Sequence, residues 1–266
     1  MGLHCISFMI KHFRLATLTL AATWMLAALL AIAPAYATSL VVVVDAGHGG
    51  TAPAGTMAER TLSSPNNATS PGKKFKEKDL TLDLAGRTIR ALNALPKQGA
   101  FNVKAVPTRT TDVNLNMAER AKITRDAGAV IFVSIHFNAA NGKVLGSRGV
   151  IRAKTYSKSY GTDHAYAMAL ADCTNKVLRT YLPGGTARVQ DDSELHGGKG
   201  SNLFHQFGLS KKTETMPACF LEVEFLDVPD FEALLVNKKD ELFDKLAAAL
   251  ALELRAQAIA TSGTKR

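Results

Sequence analysis

Short apolar runs alternate with longer stretches of helical spacing along most of this 266-residue chain. Strand-like runs lie at 40–45 (LVVVVD), 101–107 (FNVKAVP), 129–136 (AVIFVSIH), 148–153 (RGVIRA) and 219–226 (CFLEVEFL). Between them, helical patterns cover about 77–95, 116–127 and 163–181, and a long alanine- and leucine-rich helix is predicted over about 231–260. Strands alternating with helices predict an α/β domain with a largely parallel sheet and helices on both faces. The β-branched residues Val41, Val42, Val43 and Val44 suit a strand covered on both sides. No repeat or linker interrupts the pattern after residue 38, and the closing "TSGTKR" reads as a frayed tail.

The first 37 residues follow another rule. Lys11 and Arg14 precede an uncharged run from Leu15 to Pro34, and Ala35-Tyr36-Ala37 offers a small-x-small cleavage site. This predicts a signal peptide over 1–37 and an exported protein of residues 38–266, with the periplasm as its compartment. The rival is an uncleaved anchor, because the run is nearly long enough to span a bilayer. Removing Lys11 and Arg14 from 32 Lys+Arg, against 23 Asp+Glu, lowers the formal charge from +9 to +7. Such a surface favours an anionic polymer or membrane face. The basic residues are scattered and not interleaved with aromatics, so nucleic acid is not an expected partner. Cys5 leaves with the leader; Cys173 and Cys219 fit either one disulfide or two buried thiols, and two cysteines cannot build a thiolate zinc site.

The chemistry gathers where strands end. In "VVVVDAGHGG" the first strand gives way to a glycine-rich turn around His48, and the glycines leave room beside the imidazole. His136 ends the third predicted strand, "VIFVSIH". In open α/β sheets ligands bind beyond such carboxyl ends. Any one histidine, including His164, His196 and His205, is by itself more readily structural or solvent-facing. Two imidazoles are too few for a tight zinc site. Glu77, in "FKEKDL", provides a carboxylate at a helix start, where an acid complementing the helix dipole is the plainer reading. In "PACFLEVEF", Glu222 and Glu224 share a parity and should point to one face, at a cost of several kcal/mol unless paired, beside a metal or on a solvated edge strand. Two histidines, a helix-start glutamate and a strand glutamate make a hydrolytic zinc site the leading physical hypothesis. The Pro-, Ser-, Thr- and Asn-rich stretch at about 51–74 reads as a mobile surface loop that is either incidental or one wall of the site. Arg109 and Arg120, in "TRTTDVNLNMAER", are given structural roles.

Six blocks now stand in order: "VVVVDAGHGG", "FKEKDL", "VPTRTTDVNLNMAERAKIT", "VIFVSIHFNAA", "SRGV" and "MPACFLEVEFLDVPD". In this order they resemble the zinc-dependent N-acetylmuramoyl-L-alanine amidases of the Amidase_3 group, over essentially the whole predicted mature chain. The resemblance implies a single catalytic domain with a twisted sheet of about six strands, zinc held by His48, Glu77 and His136, and Glu222 as the catalytic acid–base group. It implies hydrolysis of the amide between the lactyl group of N-acetylmuramic acid and L-alanine, so peptidoglycan or a muropeptide is the expected substrate. Departures flank the catalytic strand: Glu224 stands where the family usually has Gly, Asp227-Val228 where it often has Ser-Asn, and Phe137 beside the third ligand.

Two rivals share the motifs or the charge: a zinc exopeptidase acting on wall peptides, and a non-catalytic peptidoglycan-binding protein. Some family members carry an insertion after the fourth strand whose helix plugs the zinc. Here only "SKSYGT" joins that strand to the next predicted helix, too short for a plug. The reading is therefore a monomer with an open site, no obligatory activator, and no stable membrane insertion once the leader is cleaved.

Overall fold

The computed structural model describes residues 37–194, 198 and 200–263. The predicted signal segment up to residue 36 lies outside the described residues. Six strands form one sheet: β1 (Thr38–Ala46), β2 (Phe101–Pro107), β3 (Ile131–Asn138), β4 (Arg148–Ile151), β5 (Arg188–Asp191) and β6 (Ala218–Phe225), in the order β2-β1-β3-β6-β4-β5. β2, β1, β3 and β6 are parallel, β4 is antiparallel to β6, and β5 runs parallel to β4. The expected α/β sheet, mostly parallel, is thus the one formed.

Five α-helices cover it among the described residues: α1 (Glu77–Ala94), α2 (Met117–Asp126), α3 (Tyr160–Arg179), α4 (Asn202–Gly208) and α5 (Pro229–Gly263). The alternation of β1 decides the layers. Val42 and Val44 pack with Leu84 of α1, Leu170 of α3 and Phe243 of α5, whereas Val43 joins Phe132, Phe204 and Phe207 on the opposite face. Each such side chain, taken fully out of water, contributes roughly 1.5–3 kcal/mol. At α2, Asn116 accepts from the Glu119 amide while the Glu119 carboxylate accepts from the Asn116 amide, a reciprocal cap written into "NMAE". Among the described residues both cysteines are free thiols: Cys219 is buried, Cys173 half-buried, and the two belong to the same apolar layer.

Three features depart from the sequence reading. β5 and α4 carry no run long enough to announce them, one being polar and four residues long, the other seven. The closing helix runs on to Gly263, so the start of the predicted frayed tail is helical, and it is broken at Lys238, whose φ of −141° is not helical. The third concerns the two acids of β6. His136 pairs with Glu222 but Asn138 pairs with Phe225, so two steps along β3 match three along β6 and a bulge falls at Val223–Glu224. The alternation that would put Glu222 and Glu224 on one face is broken there. Glu224 is fully buried, accepts from the Gly146 amide at 2.7 Å and pairs with Arg179 at the end of α3.

Glu224→Gln should therefore lower the stability of the fold by about 2 kcal/mol, the worth of a charge-assisted contact to a buried group. Urea unfolding would measure this, and metal binding should be retained. Metal loss at unchanged stability would instead place Glu224 at the metal centre.

Candidate metal centre

The turn after β1 brings His48 back over the sheet with φ = 61°, a left-handed conformation that costs a non-glycine residue energy. Two arginines hold it there. Arg120 donates to the carbonyls of Ala46 and His48, each at 2.9 Å, and Arg109 donates to those of Ala46, Gly47 and Lys78, also at 2.9 Å. Thr81 adds a bond to the Gly47 carbonyl at 2.8 Å. Gly47 itself is required by contact: a Cβ there would lie 2.3 Å from Cε1 of His136. The room that the glycines create thus serves the second histidine as much as the first.

His48, Glu77 and His136 converge, each offering one ligand atom within 4.8 Å of the others. Glu77 is the first residue of α1 and only 2% exposed. Its Oε1 lies 3.1 Å from His48 Nε2 and 3.0 Å from His136 Nδ1, and accepts from the Phe137 amide at 3.1 Å; Oε2 accepts from the Ala68 amide at 2.9 Å. Both of its oxygens thus accept from backbone amides, which favours the ionised carboxylate.

Hydrogen bonds fix which ring nitrogen carries the proton. Ser64 spends its hydroxyl proton on Asn67 at 2.8 Å, so the Ser64 carbonyl at 3.0 Å and Oγ at 3.1 Å both accept from His48 Nδ1. That leaves Nε2 a bare lone pair, buried and without a hydrogen-bond partner. Ser134 spends its proton on Asp45 at 2.5 Å, so it accepts from His136 Nε2 at 3.0 Å and His136 Nδ1 is left facing Glu77 as a lone pair. Burial, only partly offset by Glu77, lowers the pKa of His136 and favours this neutral form. Two lone pairs aimed at one carboxylate repel unless a cation lies among them. The donor set fits a divalent metal, with outer partners that orient each imidazole as ligating histidines require.

Asp45 is the root of this arrangement. It is 1% exposed and accepts from Arg120 at 2.5 Å, from Ser134 and from Thr108. Burial alone would raise its pKa, but Arg120 and the two hydroxyls keep the carboxyl ionised. Glu222 stands across from these groups, half-buried, with Oε2 free of any hydrogen-bond partner among the described residues. Burial and then the Glu77 charge push its carboxyl up to about 8, against the opposing pull of Arg148.

The cleft has a volume of about 930 Å³, and His48, His136 and Glu222 line it. Met57, Arg60, Leu62 and Ser64 line it too, so the 51–74 stretch is a wall of the site. Nor is it loose: Asn114 binds the carbonyls of Ala52 and Ser63, Gln206 that of Arg60, and Glu232 accepts from Ser70. The structure brings together four of the residues singled out, His48, Glu77, His136 and Glu222, and excludes Glu224. Asp45, Ser134 and Ser64 were missed as orienting residues, although Asp45 and Ser134 lie within the quoted motifs. His164 packs beside Tyr160, His205 beside Arg60, and His196 lies outside the described residues.

Fold and site together define an α/β protein with a metal-capable His-Glu-His centre at the carboxyl end of its parallel strands. Residues 42–253 match the Amidase_3 family, N-acetylmuramoyl-L-alanine amidase, and the chain belongs to that family. It is 28% identical over 210 residues to the endolysin of Bacillus phage SPP1, covering 79% of this chain and 62% of that protein. It is 25% identical over 225 residues to the germination-specific N-acetylmuramoyl-L-alanine amidase of Bacillus subtilis (strain 168), covering 79% of this chain and 76% of the relative. Its fold is similar to that of the CwlD amidase from Clostridioides difficile, solved in complex with the GerS lipoprotein, with a TM-score of 0.55, 20% identity, and coverage of 83% and 99%.

Asp45→Asn and Ser134→Ala should each weaken metal affinity by about 10–100-fold, because the protonation of His136 is no longer dictated. Chelator competition reads this directly, and unchanged affinity in both variants would remove the relay from the site. A second expectation concerns metal-free protein. Glu222 holds its proton more tightly folded than unfolded, so its contribution to stability is greatest below pH 4.5 and is lost as pH rises to about 8. Glu222→Gln should abolish that component of the pH–stability profile, measured by thermal unfolding.

Proposed function

We propose that this chain is an exported, zinc-dependent N-acetylmuramoyl-L-alanine amidase. It would hydrolyse the amide between the lactyl group of N-acetylmuramic acid and the L-alanine of the stem peptide. One observation carries the reading: two oriented imidazole lone pairs and a carboxylate converge beside a glutamate with a free oxygen, inside an open cleft. The family and the two named relatives supply the substrate class. The chain spans 62% of the endolysin's length, so the activity rests on the site and the family and is not transferred from that whole protein.

His48, Glu77 and His136 would hold the ion, and Glu222 is the acid–base group. Zinc supplies polarisation of the amide carbonyl and lowers the pKa of water toward ~7. Glu222 accepts the proton of the attacking water and returns it to the departing amine of L-alanine. Phe220, edge-on to His136 with ring centroids 5.3 Å apart, makes one side of the cleft apolar.

We read the predicted signal peptide as supported by the position of β1, which begins at Thr38, the residue after the small-x-small site. Export follows from that reading, and we propose the periplasm as the compartment. No helix among the described residues is long and apolar enough to cross a membrane. The segment between β4 and α3, residues 152–159, contains no helix that could cover the metal centre. We propose a monomer that works without a protein activator.

The test uses purified residues 38–266 and sacculi, with products identified by mass spectrometry with and without chelator. Intact stem peptides should be released by zinc-loaded protein alone, and Glu222→Gln should keep about one zinc per chain while losing ~10²–10⁴-fold in turnover. Release of single amino acids would replace the amidase with an exopeptidase. Activity appearing only with an added partner protein would overturn the open-site reading.

A further inference from the structure

The short segment 64–68 ties the turn of the first histidine to the helix start of Glu77. The Gly49 amide, next to His48, donates to the Pro65 carbonyl at 3.0 Å. Asn66 accepts from the Lys78 amide at 3.0 Å and donates to the Ala68 carbonyl at 2.9 Å. Ala68 exchanges bonds with Glu77: its amide reaches Oε2 at 2.9 Å, and its carbonyl accepts from the Glu77 amide at 3.0 Å. Asn67 stands between these fixed residues, yet it is exposed and lines the cleft with His48 and Glu222. Its backbone is held while its side chain stays accessible.

Hydrogen-bond chemistry fixes which way that side-chain amide is turned. The Ser64 carbonyl can only accept, so His48 Nδ1 carries a proton toward it at 3.0 Å. Ser64 Oγ, 3.1 Å from the same nitrogen, then accepts too, and its own proton must go elsewhere. It goes to Asn67 at 2.8 Å, where only the carbonyl oxygen Oδ1 can take it. The Nδ2 end is left as a pure donor, with no hydrogen-bond partner among the described residues. Its reach is also defined. Asn67 approaches His48 from the Nδ1 edge, whereas Nε2, on the other edge, faces Glu77 at 3.1 Å. A group bonded to Nδ2 therefore lies beside the metal-capable centre and not in it.

We propose that Asn67 is a substrate-orienting residue whose Nδ2 donates to an amide carbonyl adjoining the scissile amide. The proposal rests on the amidase reading. Such a substrate carries a carbonyl on either side of the bond to be cut, in the 2-acetamido group of the sugar and in L-alanine. Both are neutral acceptors, which suit a neutral group that can only donate. A donor already held in place by its neighbours loses little freedom when it binds. The two ends of one side chain then serve different tasks. Oδ1 keeps His48 oriented through Ser64, and Nδ2 sets the register of the substrate.

The experiment uses zinc-loaded residues 38–266 and muramoyl-tripeptides whose stem carboxylates are amidated: the parent, a 2-thioacetamido analogue, and an analogue with a thioamide at the L-alanine carbonyl. Sulfur keeps the shape but accepts a hydrogen bond poorly. Wild type should show a raised KM on one analogue, which identifies the carbonyl. Asn67→Asp keeps an acceptor for Ser64 and removes the donor. It should retain zinc affinity in chelator competition, while kcat/KM on the parent falls about tenfold, chiefly through KM. On the identified analogue that penalty should shrink toward unity. Asn67→Ala, which removes both ends, should also weaken zinc affinity a few-fold. Thermal unfolding of each variant establishes that the wall still forms. No penalty on the parent, or an undiminished one on both analogues, would overturn the contact. Zinc loss in Asn67→Asp that matches its fall in kcat/KM would do the same, reducing Asn67 to a support for His48. Failure of wild type to release an intact tripeptide from the parent would instead overturn the amidase reading.

Discussion

The buried pair of Asp45 and Arg120 is the interaction on which the site depends. A carboxylate and a guanidinium that are each 1% exposed would be costly to the fold if either stood alone. Here every part of both is used. Arg120 reaches past Asp45 to the carbonyls of Ala46 and His48, so the charge that keeps Asp45 ionised also holds the strained turn that carries the first histidine. The ionised Asp45 in turn takes the proton of Ser134, and Ser134 sets the second histidine. The shape of the turn that carries the first histidine and the protonation of the second thus descend from one ion pair.

Much of this was legible in the sequence, for identifiable reasons. The parallel strands are buried on both faces, so β1, β3 and β6 show as dense apolar runs, and the helices that cover them show the matching periodicity. His48 and His136 could be placed because strand ends are readable. Glu77 could be placed only through the resemblance, since a first-turn acid has an ordinary explanation. What could not be read was set by contacts distant in the chain. β5 and α4 take their conformation from neighbours, having too few apolar residues to impose it. Alternation misassigned Glu224 because a bulge is a mismatch between two strands, invisible in either one. Arg109 and Arg120 had the structural character given to them, but the turn they hold lies more than sixty residues away.

The 51–74 stretch shows how composition can mislead about stiffness. Its Pro, Ser and Asn residues do break regular structure, yet its polar groups are spent on α1, α2, α4 and α5. An irregular backbone pinned at many points is a surface that can be shaped residue by residue. That is what a cleft wall needs when the metal-capable centre and Glu222 are confined to a turn, a helix start and two strands.

The bulge in β6 has a consequence for how this chain can drift. A regular strand couples each residue to the second one along, so a charge introduced beside Glu222 would appear in the cleft. Because the strand slips by one position after Glu222, residue 224 answers to Arg179 and to the Gly146 turn. Glycine, which the resemblance implies at this position, and glutamate, which this chain carries, are then alternative solutions to a packing problem at the far end of α3. Substitution there can be explored by mutation together with residues 146 and 179 while the chemistry two residues away is left untouched.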